Sequence, residues 1–223
     1  MPGQAPWADR IVTISAAYGT GGTAIASEVA DRLGLPFLDR AIPAGVARSL
    51  AVPLEAALAQ DEQRTSLIDR IIMAVAEGGS VFAISPLPPP QGLGYDEKTF
   101  QLQTERVILD QANSGHGGVV LGRAAAIVLA RHPKVVLRVR LRGPDAARAA
   151  GLVARGGIDE ATAAKLIREH DRAIHDYIRH FYKTDLEDPA LYHLVIDATS
   201  LPFDLCVGLV VTAVQAQSVG SSG

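Results

Sequence analysis

Cysteine is almost absent: Cys206 is the single one in 223 residues. One cysteine closes no disulfide within the chain, and its place in an apolar run marks it as a small core residue rather than a reactive thiol. Long hydrophobic runs are absent as well. The longest, residues 205–214, falls short of the roughly 20 residues needed to cross a bilayer. The first ten residues are polar, carry Asp9, and lack the apolar stretch of a signal peptide. An excess of positive charge is also missing. Lys and Arg number 21 against 24 Asp and Glu, a net charge of −3, which argues against broad nucleic-acid binding while allowing a local basic patch. The six histidines show no metal-ligand spacing, and no nucleophile motif of a serine or cysteine hydrolase is present. The expectation is a soluble, cytoplasmic chain with no membrane or nucleic-acid partner.

What is present is apolar residues, 48% of the chain. That content and length suit one domain with an insertion better than two full domains. Ile11-Val12-Thr13-Ile14 is a β-branched run that favours a buried strand. A glycine cluster follows, then a helix over 24–33 on the spacing of Ile25, Val29 and Leu33, with Gly34 as its stop. Residues 35–38 form a short second strand. Residues 41–76 have helical character interrupted near Pro53. Residues 80–94 hold Pro86, Pro88, Pro89 and Pro90 and form a loop. Helical spacing returns over 98–112. Strands are expected at 119–121, 135–141 and 193–196. Helices are expected at 124–130, after Pro144, from an Asp159 cap to about Tyr182, and over 202–216. The Gly/Ser-rich end, 218–223, has the composition of a flexible tail.

Strand then helix, repeated, predicts an α/β fold with a mainly parallel sheet flanked by helices. Ligands in such folds bind beyond the carboxyl ends of the strands. Four constellations lie there. The first is Ser15 to Thr23. Its glycines let backbone N–H groups converge on a phosphate at a helix N-terminus. Against the Walker pattern G-x-x-x-x-G-K-[ST], Gly21 takes the second glycine and Thr23 the hydroxyl that meets Mg²⁺. Ala16 stands at the first glycine and Gly22 at the lysine, so a plain strand–helix turn is the alternative. The second is Gly122-Arg123, whose guanidinium suits an acceptor phosphate or simply caps the sheet. The third is Arg168, Arg172, His175 and Arg179 on one helix face, with Arg148 and Arg155 upstream. They form either a lid that brings positive charge to a transferring phosphoryl group or a solvated basic face. The fourth is Asp197-Ala198-Thr199-Ser200, a base or ribose contact or a capped turn.

In order and separation, four stretches resemble the cytidylate-kinase-like family. They are Ile11-Val12-Thr13-Ile14-Ser15 with Tyr18-Gly19-Thr20-Gly21-Gly22, then Leu35-Pro36-Phe37-Leu38-Asp39, then Val120-Leu121-Gly122-Arg123, and the segment from Asp171-Arg172 to Asp197, which includes Tyr177, Tyr182 and Asp188-Pro189. The resemblance implies a P-loop nucleotide-kinase fold over 1–217, with an acceptor-binding helical insertion at 39–112 and lid-like helices at 143–182. It implies ATP and Mg²⁺ as cofactors, with Tyr18, Gly19, Thr20, Gly21, Gly22 and Thr23 at the donor phosphates and Thr23 at the metal. Asp39, Arg40, Arg123 and Asp171 would face a nucleotide or other small acceptor, such as CMP, and Arg155 and Arg172 would be the transition-state arginines. The chain departs from the family at Ala16-Ala17, where Arg-Glu is usual, and at Thr23, where Arg is usual. It also departs from genuine cytidylate kinases, with Gly22 in place of the Walker lysine and Leu121 in place of a third-strand aspartate. These departures motivate a second reading, a non-catalytic nucleotide-binding or regulatory protein on the same fold. A third is an interaction protein that docks a partner through Pro86 to Pro90.

Overall fold

The computed structural model describes residues 5–38, 97–122, 124–133 and 135–219. The expected helix at 41–76, the proline loop, Asp39, Arg40 and Arg123 lie outside the described residues.

Five strands form one parallel sheet in the order β2-β3-β1-β4-β5. They are β1 (Ile11–Ala16), β2 (Phe37–Leu38), β3 (Gly118–Leu121), β4 (Val135–Arg142) and β5 (Leu194–Asp197). The first strand is central, paired with β3 on one side and β4 on the other. The chain therefore leaves β1 in one direction for β2 and β3 and later crosses to β4 and β5. The loop after β1 opens at that reversal, where ligands of open α/β sheets bind.

Strand alternation gives the sheet two unlike faces. Val12 and Ile14 of β1, with Leu137, Val139 and Leu141 of β4, are buried under α1 (Gly22–Leu33) and the C-terminal helix Phe203–Val219, with Cys206, Val207, Val210 and Val214. Cys206 is thus the small core residue expected. Ile11 and Val120 face the other way, against Ile108 and Ala112 of α2 (Glu97–Asn113) and Ala125 of α3 (Ala125–Val128). Towards the carboxyl ends this second face turns polar, with Thr13 and Ser15 on β1 and Arg138 and Arg140 on β4.

After β4 come α4 (Asp145–Gly156) and α5 (Glu160–Tyr182). Asp159 begins α5 as expected: its carboxylate accepts from the Thr162 amide at 2.7 Å. That bond is the main reason its pKa lies below the usual carboxylate value. Gly34 ends α1 in the left-handed conformation, its N–H donating to Ala30 and Asp31 carbonyls. Two helices differ from expectation. α3 is a single short turn: left-handed Ala124, φ 58°, caps it one residue late, and it ends at a Leu129 cap two residues early. The last helix, α6 (Phe203–Val219), runs two residues into the stretch read as a tail.

Candidate functional site

The turn between β1 and α1 is built from its backbone. The Ala17 amide donates to Leu141 O at 2.9 Å, which continues the β1–β4 ladder beyond the strand. The Thr20 amide and hydroxyl both donate to Ala17 O, at 3.2 and 2.7 Å. Thr20 is buried and folds the turn. Gly19 and Gly21 have φ values of 86° and 75°, which side-chain-bearing residues rarely adopt. Gly21 is the N-cap of α1 and supplies no side chain there. A Cβ on it would meet nothing within 4 Å, so the turn is open at that point. Gly22 is the reverse: a Cβ on it would overlap the Ala16 methyl. Thr23 follows, half-buried, in the first turn of α1.

Helices α4 and α5 rest on this turn. A Cβ on Gly19 would lie 3.2 Å from both the Cβ and the carbonyl oxygen of Arg148, so α4 touches the loop backbone. Arg148 is buried, with 5% of its side chain exposed. Nε donates to Gly143 O at 3.0 Å and Nη1 to Tyr18 O at 2.9 Å. Nη2 reaches Asp145 Oδ1 and Asp171 Oδ2, both at 2.7 Å. Burial opposes its charge, but the two carboxylates outweigh burial and the guanidinium pKa rises. The Tyr18 ring stacks on His170 of α5, centroids 3.9 Å apart and 3° from parallel. Tyr18 packs there against Ala149, Ala163 and Ile167. Arg155, exposed at the end of α4, donates from Nη2 to Gly19 O at 2.8 Å.

Of the expected site residues, Tyr18 to Thr23, Arg155 and Asp171 therefore converge. Asp171 joins through its ion pair with Arg148. Arg172 is exposed on α5, as are Arg168 and Arg179, which fits the solvated-face alternative for that stripe. The fourth member, His175, is half-buried and approaches Glu187 at 3.6 Å. The sequence names Arg148 within the lid constellation but not as a buried anchor, and it does not name His170 as a stacking partner. Arg148 carried a signal: it precedes Ala149 on the buried side of α4, where an arginine must find partners.

Beneath the turn, Arg140 is buried on β4 and Nη2 pairs with Glu187 Oε1. Its Nε and the Thr13 hydroxyl have no hydrogen-bond partner among the described residues. Tyr192, whose hydroxyl donates to Leu186 O at 2.9 Å, has its pKa raised chiefly by burial. At the end of β5, Asp197 closes its own turn. Oδ1 accepts from the Thr199 amide and hydroxyl, and Oδ2 accepts from the Ser200 hydroxyl. Those bonds hold its pKa at about 2. This is the capped turn, and the carboxylate is already taken up by local donors.

A model of the cytidylate kinase-like family matches residues 11–200. The chain belongs to that family. No curated protein matches it. Among solved structures, an uncharacterized protein from Eubacterium ventriosum ATCC 27560 superposes with a TM-score of 0.67 at 16% identity, covering 93% of this chain and 99% of that one. A gluconokinase from Sinorhizobium meliloti 1021 superposes with a TM-score of 0.51 at 14% identity, covering 96% and 94%. At these identities the likeness is one of fold, and the fold is that of the P-loop kinases.

The family's usual cofactors fit the site unequally. The open glycine turn at a helix N-terminus suits the phosphates of ATP. Mg²⁺ ordinarily takes one or two carboxylates besides phosphate oxygens. The described residues bring together no group of three or more His, Cys, Asp or Glu able to hold a metal. The third strand ends on Leu121, and among the described residues the Thr23 hydroxyl is the candidate ligand at the turn. A hydroxyl without a carboxylate beside it fits Mg²⁺ poorly, and no step below runs through it.

Proposed function

We propose that this cytidylate-kinase-like chain binds the phosphates of ATP at the turn Gly19 to Thr23 and transfers the terminal phosphoryl group to a small acceptor, a nucleoside monophosphate such as CMP. The observation that carries this reading is the attachment of Arg148 to the Tyr18 carbonyl and of Arg155 to the Gly19 carbonyl. It brings the lid helices to the place where a transferring group would sit. Transfer breaks the bond from the γ-phosphorus to the bridging oxygen of ADP and forms one to an acceptor oxygen. The protein's part is positioning and charge compensation. The turn's amides would orient the donor. Exposed Arg155 would release Gly19 O and turn its guanidinium to the phosphoryl oxygens. Buried Arg148 would keep α4 in place while it does so. Arg123, Asp39 and Arg40 would serve the acceptor.

A coupled ADP-release assay across nucleoside monophosphates tests this. Turnover should depend on acceptor, and Arg155→Ala should lower kcat by about 100-fold without lowering Tm. Absence of acceptor-dependent turnover with every monophosphate would sink the proposal for this substrate class. The second reading, nucleotide binding without transfer, is favoured by one observation: position 22 has no room for a side-chain cation. Saturable ATP binding by calorimetry with no ADP release would select it.

A further inference from the structure

The missing lysine is tied to a second residue. Ala16 is the last residue of β1, registered against Leu141 of β4, and the next amide is bonded to the Leu141 carbonyl. Its methyl is therefore carried by backbone tied to β4. A Cβ at position 22 would overlap that methyl, with Thr20 Oγ1 at 3.7 Å and Ala16 Cα at 3.8 Å. The obstacle is a rigid methyl, unlike the flexible end of a long side chain. In the Walker pattern glycine stands at the position of Ala16 and lysine at that of Gly22. Here the side chain has moved from one to the other.

We infer that Ala16 and Gly22 form an exclusive pair, in which a side chain at one position requires glycine at the other. The turn is thereby shaped to hold a phosphate group with main-chain amides alone. Any cation must come from outside it. Among the described residues, Arg148 and Arg155 are bonded to the turn, and both approach by its carbonyls. The ligand chemistry in this inference rests on the phosphate-cradle reading; the steric pairing does not.

The sign of one stability change tests the pairing. Gly22 lies within α1 and has no left-handed φ. Without the overlap, Gly22→Ala would raise Tm, because alanine suits a helix better than glycine. With it, Gly22→Ala should lower Tm by about 5 °C or more, as overpacking does. In an Ala16→Gly background the same change should raise Tm. A Gly22→Ala effect of one sign and similar size in both backgrounds overturns the pairing.

A lysine arm reports on the ligand. Ala16→Gly with Gly22→Lys should bind ATP about tenfold tighter than Ala16→Gly alone, while Gly22→Lys in the natural background gains nothing. If the natural chain binds ATP and the double variant shows no gain over Ala16→Gly, the amide-only cradle is wrong. If no variant binds ATP but the Tm sign reverses, the pairing stands and the phosphate reading of the turn fails.

Discussion

The same two strands build a dry face and a polar one. Leu141 and Arg140 are neighbours on β4, both buried, yet one fills the core under α1 and α6 while the other pairs with Glu187 on the opposite side. On β1, Ile14 and Thr13 divide in the same way, and the Thr13 hydroxyl has no partner among the described residues. A face that served stability alone would not keep an orphaned hydroxyl and an orphaned guanidinium nitrogen, since each costs desolvation that nothing returns. Stability resides in the first face and in the amino end of the second, where Ile11 and Val120 pack with Ile108 and Ala112. The second turns polar only at its carboxyl end, where the proposed ligand would bind.

That contrast can be broken or sharpened. The largest effect is expected at Leu141→Ala, which should lower unfolding free energy by about 3 kcal/mol through lost burial and a cavity. Chemical denaturation would measure it. A cost below about 1 kcal/mol would mean that the dry face is not the stabilising one. Next comes Arg148→Met, which strips Asp171 and two loop carbonyls of a buried donor. It should cost about 2 kcal/mol, because part-exposed Asp145 and Asp171 regain water. It should also increase hydrogen exchange across the glycine turn. Normal protection there would separate the lid from the turn.

Thr13→Val should raise stability by about 1 kcal/mol, because it removes an unsatisfied buried hydroxyl at nearly constant shape. A loss of stability would place an undetected partner beside it and weaken the contrast. The smallest effect concerns the half-buried turn at Asp197. The Thr199 and Ser200 donors hold its pKa at about 2, below the ordinary aspartate value of 3.8. Its contribution is therefore present above the higher value and lost as pH falls towards the lower one. The Tm difference between the natural chain and Asp197→Asn should shrink across about pH 4 to 2; a constant difference would assign the effect to geometry rather than charge.

Much of the first face is legible in the sequence, because it depends on short-range pattern. The run Ile11 to Ile14, the spacing of Ile25, Val29 and Leu33, and the caps at Gly34 and Asp159 each act within one or two turns of chain. The single-turn α3 is not legible. It begins after a left-handed residue, Ala124, and stops at Leu129, and nothing about alanine or leucine announces either end. The site is legible in part for the same reason. Glycines mark the turn, but the Tyr18–His170 stack and the Arg148 anchor join residues far apart in sequence. Steric exclusion at Gly22 belongs to the same class, because the sequence spells Ala16 and Gly22 and only the fold brings the methyl over the glycine.

The central place of β1 also bears on how the chain assembles. Ile11 pairs with Gly118 and Val135, so the strand made first must wait for partners about a hundred residues later, the kind of non-local pairing that slows folding. During synthesis Val12 and Ile14 would leave the ribosome with α1 close behind but long before β3, β4 and α6. At about 5–20 residues per second, that interval lasts several seconds or more. For that time the run Ile11 to Ile14 is an apolar β-prone segment without its strand neighbours, open to pairing with the wrong chain.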